Sequence, residues 1–511
     1  MLHRFITAKS WRYLETARHL CRICALTGLM LVFLATPLVR SVGSGSVLSP
    51  EFHPPRGFYP DTMEVVLKSP SAYANIRYTL DGSRPANEHG LIYDGPILLS
   101  KSTVIRAACV RSGRSSPVNT HTYILNANDA QRAVPALCVT GDPKTSLFEP
   151  DGILGSSSAH LTGRATPFDG HANALGIGRL FERPVSVELI EPADNAGVQF
   201  HCGIRLHGSW LTRSDYLLDR AASSCRFSFK LLLRPDYYGS PAQYPFLLDG
   251  AAPRSTVLVA RVQIAGAFII DELTRRLHAD CGRPASRGTF VNVFINGRYI
   301  TYCNLCERID EELLRAYYGT SGEWDVFNDN GVRNGDDFFW MELFRFLATH
   351  DLATDEEYDA FARLVDIENL IDYVIVRTYA KDSHFLAINW VAAHERKEDG
   401  KFEFLAWDAE NTFLDVKSDS FDQLHAQDTD ISVVFCALKR NPRFRAAFAE
   451  RVNRHFSPGG ALCEENVMRH FRDLCDSVST AIPDFDASSV EAFIAARQDH
   501  YLAQLRARGL Y

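Results

Sequence analysis

Two short segments in the C-terminal half of this chain carry side chains that could handle phosphate and a divalent cation. The first holds Asp382, His384 and Asn389, and the second holds Asp408 and Glu410 directly after an apolar run. Mg²⁺ prefers one or two carboxylates together with substrate oxygens, and a histidine can take a proton near neutral pH. These residue types therefore favour a metal-assisted reaction on phosphate, while the alternative is that they cap loops and helix ends.

The elements that must position these residues form a mixed α+β pattern over 134–511. The strongest local signal is a hairpin, because apolar runs flank Asn296-Gly297. Apolar residues at helical spacing predict helices at 268–280 and 370–379, and the chain is helical in pattern from 441 onward. Further strands are predicted at 184–190, 202–208, 226–234 and 402–407.

A separate small β domain is predicted at 50–126. Short alternating runs are separated by turn residues, of which Asp81-Gly82 is the clearest pair. The segments 76–85, 91–97 and 104–108 resemble the small β-sandwich domain at the C-terminus of chitobiases and β-hexosaminidases. That resemblance leaves open a carbohydrate ligand stacked on Tyr78 and Tyr93, with packing inside the sandwich as the alternative for both rings.

Composition excludes several classes of protein. The chain has 511 residues, is 46% hydrophobic and has a formal net charge of −8. This is ordinary globular composition, so a wholly disordered or collagen-like chain is excluded. A nucleic-acid-binding role is not expected, because such proteins usually carry a basic domain.

The N-terminal 46 residues predict export from the cytoplasm. Basic residues dominate the first 22 positions, and an apolar stretch follows at 23–39. That order is typical of a signal peptide or an uncleaved membrane anchor. We therefore expect a secreted, periplasmic or cell-envelope protein, with 23–39 as its only attachment to a membrane if the segment is not cleaved.

The twelve cysteines do not form a dense disulfide scaffold. Outside the N-terminal segment, Cys303 and Cys306 are the only close pair, and no second pair or histidine at zinc-site spacing accompanies them. We expect ordinary buried or disulfide-bonded cysteines rather than a metal site.

A second resemblance covers the large domain. In chain order, segments from Gly203-Ile-Arg-Leu-His-Gly208 to Trp407-Asp-Ala-Glu-Asn-Thr-Phe413 resemble motifs of the spore coat protein H (CotH) kinase family. The fold class implied is a small all-β sandwich followed by a large, divergent kinase-like α+β domain with a helical C-terminal tail. The other matching segments are 183–189, 226–231, 288–308, 324–326, 369–373, 389–390, 441–445 and 459–461.

The resemblance implies ATP as cofactor with Mg²⁺ or Mn²⁺, and it implies roles for individual residues. Asp408 would bind the metal with Asn389, and Glu410 would assist. Glu307 would orient a cation on the nucleotide side. The implied activity is phosphoryl transfer to Ser/Thr-type hydroxyls of a protein or cell-envelope substrate.

Three departures from the family pattern leave the activity open. Arg226 stands where the family has lysine, although Lys230 on the same strand face could supply an ammonium. His384 stands at the catalytic aspartate position, with Asp382 as a nearby replacement. The stretch before the first large helix keeps only Arg261 as a cation. The alternatives are therefore an active kinase, a catalytically inactive kinase-fold binding protein and a carbohydrate-associated surface protein.

Overall fold

The computed structural model describes most of the chain beyond residue 46. It covers residues 47–148, 150–155, 172–209, 213, 226–237, 255–262, 268–382, 384, 388–419, 421–424 and 429–511. The predicted export segment lies outside these residues. Within them, no helix is both long enough and apolar enough to cross a membrane.

The first part of the described chain is a β-sandwich. A three-stranded sheet (β1-β3-β6) and a larger sheet (β2-β9-β7-β4-β5, with β8 on β7) share one apolar core. The predicted all-β domain is confirmed. Its strands are β1 (Glu51–His53), β2 (Gly57–Tyr59), β3 (Met63–Lys68), β4 (Asn75–Thr79), β5 (Leu91–Ile92), β6 (Ile97–Leu99), β7 (Thr103–Arg111), β8 (Arg114–Ser115) and β9 (Asn119–Leu125).

Tyr78 and Tyr93 belong to the packing of this sandwich. Both rings pack against its core and meet edge to face at 6.4 Å. The hydroxyl of Tyr93 accepts a hydrogen bond from the Leu67 amide at 3.1 Å. These contacts match the packing alternative, and a carbohydrate ligand stays a prediction.

A closed seven-stranded barrel follows, in the order β10-β11-β12-β13-β14-β16-β15. The predicted hairpin is confirmed between β15 and β16, where Asn296 and Gly297 both have positive φ, at 47° and 79°. The predicted strand 226–234 is shorter in the structure, where β13 begins at Phe229. The barrel strands are β10 (Ala136–Thr140), β11 (Arg183–Ile190), β12 (Gly197–Leu206), β13 (Phe229–Leu232), β14 (Val257–Arg261), β15 (Gly288–Ile295) and β16 (Arg298–Glu307).

A four-stranded antiparallel sheet, β18-β17-β19-β20, packs with helices to complete the fold. Its strands are β17 (Trp324–Asn328), β18 (Gly331–Asn334), β19 (Trp390–Glu395) and β20 (Phe402–Ala406). The helices are α1 (Asp129–Arg132), α2 (Ala172–Leu175), α3 (Ile270–Asp280), α4 (Glu311–Tyr318), α5 (Phe338–Thr349), α6 (Asp355–Phe361), α7 (Ile367–Tyr379), α8 (Phe421–Leu424), α9 (Asp430–Leu438), α10 (Pro442–Phe456), α11 (Glu464–Val478) and α12 (Ser488–Ala507), with a π-helix at Pro143–Leu147 and a 3₁₀ helix at Arg179–Phe181. The predicted α+β class with a helical C-terminal part is confirmed.

Helix α7 is central to this second core. All of its residues from Asn369 to Tyr379 are buried. Asp372 on this helix binds Arg451 and His455 of α10, with shortest distances of 2.5 and 2.7 Å. These partners explain why the pKa of Asp372 is lowered to about 2 despite its burial. The network fastens α10 to the helix that leads into the Asp382 segment.

The nine cysteines in the described ranges are all free thiols. Cys303 and Cys306 are fully buried on β16, and burial raises the pKa of the Cys306 thiol to about 11. Of the two alternatives expected from the sequence, buried or disulfide-bonded cysteines, the structure shows the first for this pair.

Candidate functional site

A pocket lined by positive charges lies where the barrel meets the four-stranded sheet. Lys230 projects from β13, His207 follows β12, Arg308 follows β16 and Arg333 lies on β18. The cavity has a volume of about 30 Å³, which is too small for a whole nucleoside. Its other walls come from Val259, Ile309, Val326, Asn328, Val391 and Trp407.

Lys230, Arg308 and Arg333 form no ion pair with a described carboxylate, although Asp310 attracts Arg308 and Asp329 attracts Arg333. Burial, with repulsion from Arg308, holds the pKa of the Lys230 ammonium well below its usual value. Burial also lowers the pKa of the His207 imidazole, and Lys230 adds to the effect. Such a cluster is stabilised by an anion, and phosphate oxygens are the anions that lysine and arginine bind best.

Only one of the two cations proposed from the sequence lines this pocket. Lys230 does, whereas Arg226 precedes β13 and places its guanidinium over the ring of Tyr302 at 5.7 Å. His207 and Arg308 lie in segments that resemble family motifs, but no role was assigned to them from the sequence, and Arg333 lies outside those segments. Their convergence follows from the pairing of strands that are distant in sequence.

Asp408 and Glu410 are brought together by a buried arginine. Nη2 of Arg261 contacts Oδ1 of Asp408 and lies 2.8 Å from Oε1 of Glu410. Nη1 of the same guanidinium is 3.3 Å from Oδ2 of Asp271, in the first turn of α3. The guanidinium also lies over the ring of Trp407 at 4.8 Å.

The backbone at Asp408 is held in an unusual conformation. Its φ is +58°, a left-handed value that costs energy in a residue other than glycine. Nδ2 of Asn389 donates to the Asp408 carbonyl at 2.7 Å, and the Ala409 amide donates to Oδ1 of Asp271 at 2.8 Å. These bonds turn the chain directly after β20, so that the Asp408 side chain stays 38% exposed while Arg261 is 7% exposed.

These residues, as placed, do not fit a divalent cation. The carboxylates of Asp408 and Glu410 already contact a guanidinium, and the Asn389 amide nitrogen is directed at the backbone. In the part of the chain that the structure describes, no three His, Cys, Asp or Glu side chains are grouped so that they could hold a metal ion. Metal binding by Asn389, Asp408 and Glu410 stays a prediction of the sequence.

Asp382 is enclosed rather than presented to the cleft. Its Oδ2 is 2.6 Å from Nη2 of Arg377, and its side chain is 1% exposed. Its Oδ1 accepts from the His384 amide at 2.8 Å, so the two proposed catalytic residues share one turn. The His384 ring is half-buried, and its Nδ1 lies 3.1 Å from the Asn411 amide nitrogen.

Arg377 joins the two segments that the sequence singled out. From its buried position on α7 it donates to the carbonyl of Asn389 at 2.8 Å and to that of Trp407 at 2.9 Å. Together with its ion pair to Asp382, these bonds hold the start of β19 and the end of β20 at fixed distances. No spacing pattern identified Arg377, because it lies in an apolar helix.

Glu307 pairs with Arg287 rather than with Arg226 or Lys230, the two cations proposed from the sequence. It is fully buried at the end of β16, and its Oε1 lies 2.9 Å from Nη2 of Arg287. The Arg287 backbone amide also donates to Oε2 at 3.1 Å. Glu307 therefore orients Arg287, on the segment that enters β15.

A wider groove of about 390 Å³ adjoins the cationic pocket and shares Asn328 with it. Its aromatic walls include Trp340 and Trp390, whose rings stack at 5.4 Å. Asp329 lines this groove, and burial raises the pKa of its carboxyl to about 6. The charge of Arg333 opposes this rise, and the charge of Asp408 adds to it. The other carboxylates of the groove are Asp337 and Asp430.

Comparison with known families decides the assignment of the large domain. The family model described as CotH kinase protein matches residues 204–492, more than half of the chain. The chain belongs to the CotH kinase protein family. All eight site residues proposed from the sequence fall inside the matched region of this CotH-family chain.

The β-sandwich is matched separately. A model described as Fn3 associated covers residues 65–123, within the domain that resembled the chitobiase type. No protein with curated annotation matches the chain. The CotH model begins within β12, so the boundaries 50–126 and 134–511 stay predictions.

Proposed function

We propose that this CotH-family protein binds the phosphate end of ATP in the pocket around Lys230 and transfers the γ-phosphoryl group to a Ser/Thr-type hydroxyl. The observation that carries the proposal is the cluster of basic side chains in this pocket, among which Lys230, Arg308 and Arg333 form no ion pair with a described carboxylate. Phosphoryl transfer depends mainly on positioning and on neutralising charge, which such a cluster provides. The cavity is too small for the nucleoside, which would lie outside it.

The acceptor hydroxyl would approach through the adjoining groove. Asp329, Asp337 and Asp430 there repel a polyanionic nucleotide but not a neutral hydroxyl. The hydroxyl oxygen forms a bond to the γ-phosphorus while the bond to the β,γ-bridging oxygen breaks, and ADP leaves with that electron pair. The hydroxyl proton passes to Asp329, since Asp382 is closed off by Arg377.

A second candidate is nucleotide binding without transfer. It is favoured by the ion pairs that engage Asp408, Glu410 and Asp382, three carboxylates that a kinase of this family would use. In that case the cationic pocket would still bind phosphate. Mg²⁺ or Mn²⁺ as a companion of the nucleotide stays a prediction in both cases.

The deciding experiment follows labelled γ-phosphate from ATP onto the purified full chain and onto added Ser/Thr-rich proteins. The variant Lys230→Met should bind nucleotide roughly 10- to 100-fold more weakly and lose transfer, while Lys401→Met, at an exposed position, should keep both binding and transfer. Label that depends on Lys230 supports a kinase. Binding that depends on Lys230 with no label supports the second candidate, and binding of unchanged affinity in Lys230→Met contradicts the phosphate pocket.

We also propose that the protein is exported through its first 46 residues and acts on a protein or envelope substrate. The basic start and the apolar stretch at 23–39 support this localisation. A fractionation of cells expressing the full chain, compared with a chain lacking residues 1–46, tests it. Equal distribution of the two forms would contradict export.

A further inference from the structure

Arg261 stands where a divalent cation would be expected. Its guanidinium contacts Asp408, Glu410 and Asp271, which come from the end of β20 and the start of α3. Mg²⁺ is usually held by one or two carboxylates together with substrate oxygens, and Asp408 and Glu410 are the two that the sequence proposed for a metal. Here the positive charge beside these two carboxylates belongs to the chain itself.

The position of Arg261 is tied to the phosphate pocket. Trp407, whose ring lies under the guanidinium at 4.8 Å, also forms a wall of that pocket. Arg261 is also among the charges that disfavour protonation of His207, a lining residue. The guanidinium thus acts on the pocket through its contact with Trp407 and through its charge.

An ordinary structural ion pair does not explain this arrangement well. A buried salt bridge recovers its desolvation cost poorly and is no reason to keep three carboxylates together. Asp271 already has a second partner, since Nε of Arg275 lies 3.2 Å from its Oδ2. Asp408 and Glu410, by contrast, have Arg261 as the cationic partner among the described residues.

We infer that Arg261 supplies at Asp408 and Glu410 the positive charge that a divalent cation would otherwise provide, so that phosphate binding in this chain needs no metal ion held by the protein. The inference depends on the proposed function in one respect, the identity of the ligand, which is taken to be the phosphate end of a nucleotide. The ion pairs themselves belong to the free chain and can be tested without nucleotide.

The first experiment measures Mn²⁺ alone. The full chain is titrated with Mn²⁺ and followed by electron paramagnetic resonance, beside Arg261→Gln, Arg261→Lys and the double variant Arg261→Gln/Asp408→Asn. We expect weak binding by the wild type and by Arg261→Lys, roughly tenfold tighter binding by Arg261→Gln, and loss of that gain in the double variant. Wild-type binding that is tight and falls roughly tenfold in Asp408→Asn would overturn the inference.

Folding and nucleotide binding give independent readings. Arg261→Gln should have a lower melting temperature than wild type, and Mn²⁺ should restore it, because the metal neutralises the same carboxylates. Should Arg261→Gln not fold, the comparison of wild type with Asp408→Asn still decides the question.

In a second assay, ATP binding by the wild type should change less than about twofold on adding EDTA, and a loss of more than about tenfold would overturn the inference. Absence of ATP binding in both conditions would contradict the proposed function and leave the Mn²⁺ result to judge Arg261.

Discussion

At the scale of single residues, the charges of the cleft fall into two groups with opposite needs. Lys230, His207 and Arg308 share a pocket in which burial disfavours their charged forms, and repulsion from Arg308 adds to the effect on Lys230 and His207. Asp408 and Glu410, close by, share one guanidinium. The first group is stabilised by an incoming anion, whereas the second already has a cationic partner in Arg261. This difference is why the proposed phosphate site lies at Lys230 rather than at Asp408.

Lys230→Met is expected to stabilise the free protein and to weaken nucleotide binding. The pKa of Lys230 is lower in the folded protein than in the unfolded chain. At any pH below the ordinary Lys pKa, this lysine therefore reduces the stability of the fold, and replacing it with Met removes that cost. Losing a charge-assisted contact should weaken ATP binding by roughly 10- to 100-fold. Thermal unfolding with and without ATP measures both effects.

Arg261→Lys and Lys401→Met are the controls for this prediction. The first keeps a positive charge beside the pocket, and the second removes an exposed lysine elsewhere. A lower melting temperature for Lys230→Met than for wild type in the absence of ATP would contradict the repulsion described for the pocket.

The pH dependence of transfer should report Asp329. If its carboxylate takes the hydroxyl proton, activity requires the deprotonated form, so kcat/KM should rise with pH through about 6 and then level off. In Asp329→Asn this limb should disappear and kcat should fall by roughly 10²- to 10⁴-fold. Asp399→Asn, at an exposed site, should keep the wild-type profile, and an unchanged profile in Asp329→Asn would exclude the role.

At the scale of elements, the cleft depends on how two segments are held by α7. The start of β19 and the end of β20 are hydrogen-bonded to Arg377, which also pairs with Asp382. Asn389 then fixes the Asp408 carbonyl. The helix therefore sets the geometry of the strand ends although it contributes no side chain to the cationic pocket.

Arg377→Met should destabilise the fold strongly. It leaves Asp382 as an unpaired buried carboxylate and two carbonyls without their donor, which costs about 3–5 kcal/mol. The double variant Arg377→Met/Asp382→Leu should recover part of this loss, since both charges are gone. Urea unfolding of both variants and of Asp382→Leu alone gives the coupling free energy. Additive effects would show that the ion pair does not matter.

At the scale of the whole molecule, the β-sandwich is joined to the barrel by buried polar contacts. Glu188 of β11 is fully buried, accepts from the Thr122 hydroxyl at 2.5 Å and lies 3.2 Å from Nη1 of Arg56. At the other end of the contact, Nδ2 of Asn296 donates to the Asp81 carbonyl at 3.0 Å. The sandwich is therefore a fixed part of the large domain's surface.

Glu188→Ala should lower stability and separate the unfolding of the two parts. Arg56 and Thr122 lose their buried partner, at a cost of about 3 kcal/mol. Calorimetry should show one main transition for the wild type and an earlier one for the sandwich in the variant. Glu191→Ala, at the half-buried residue just after β11, is the control and should leave the single transition intact. Two transitions in the wild type would contradict the coupling.

The sequence alone determined the features that depend on neighbouring residues. Alternating apolar residues and the Asn296-Gly297 pair determined the strands and hairpin of the barrel, because strand period and turn preference are local properties. The order of short motifs was enough to indicate the family. The ends of β13 were less well predicted, since an apolar run does not say where strand pairing stops.

Only the tertiary structure decided which charges meet. Arg261 and Asp408 are 147 residues apart in the chain, and no local pattern reports whether two such side chains touch. The same holds for His207, Arg308 and Arg333, which reach the pocket from three different strand ends. Because strand pairing and burial decide which charges meet, the family motif could name Asp408 and Glu410 but could not show that both already contact an arginine.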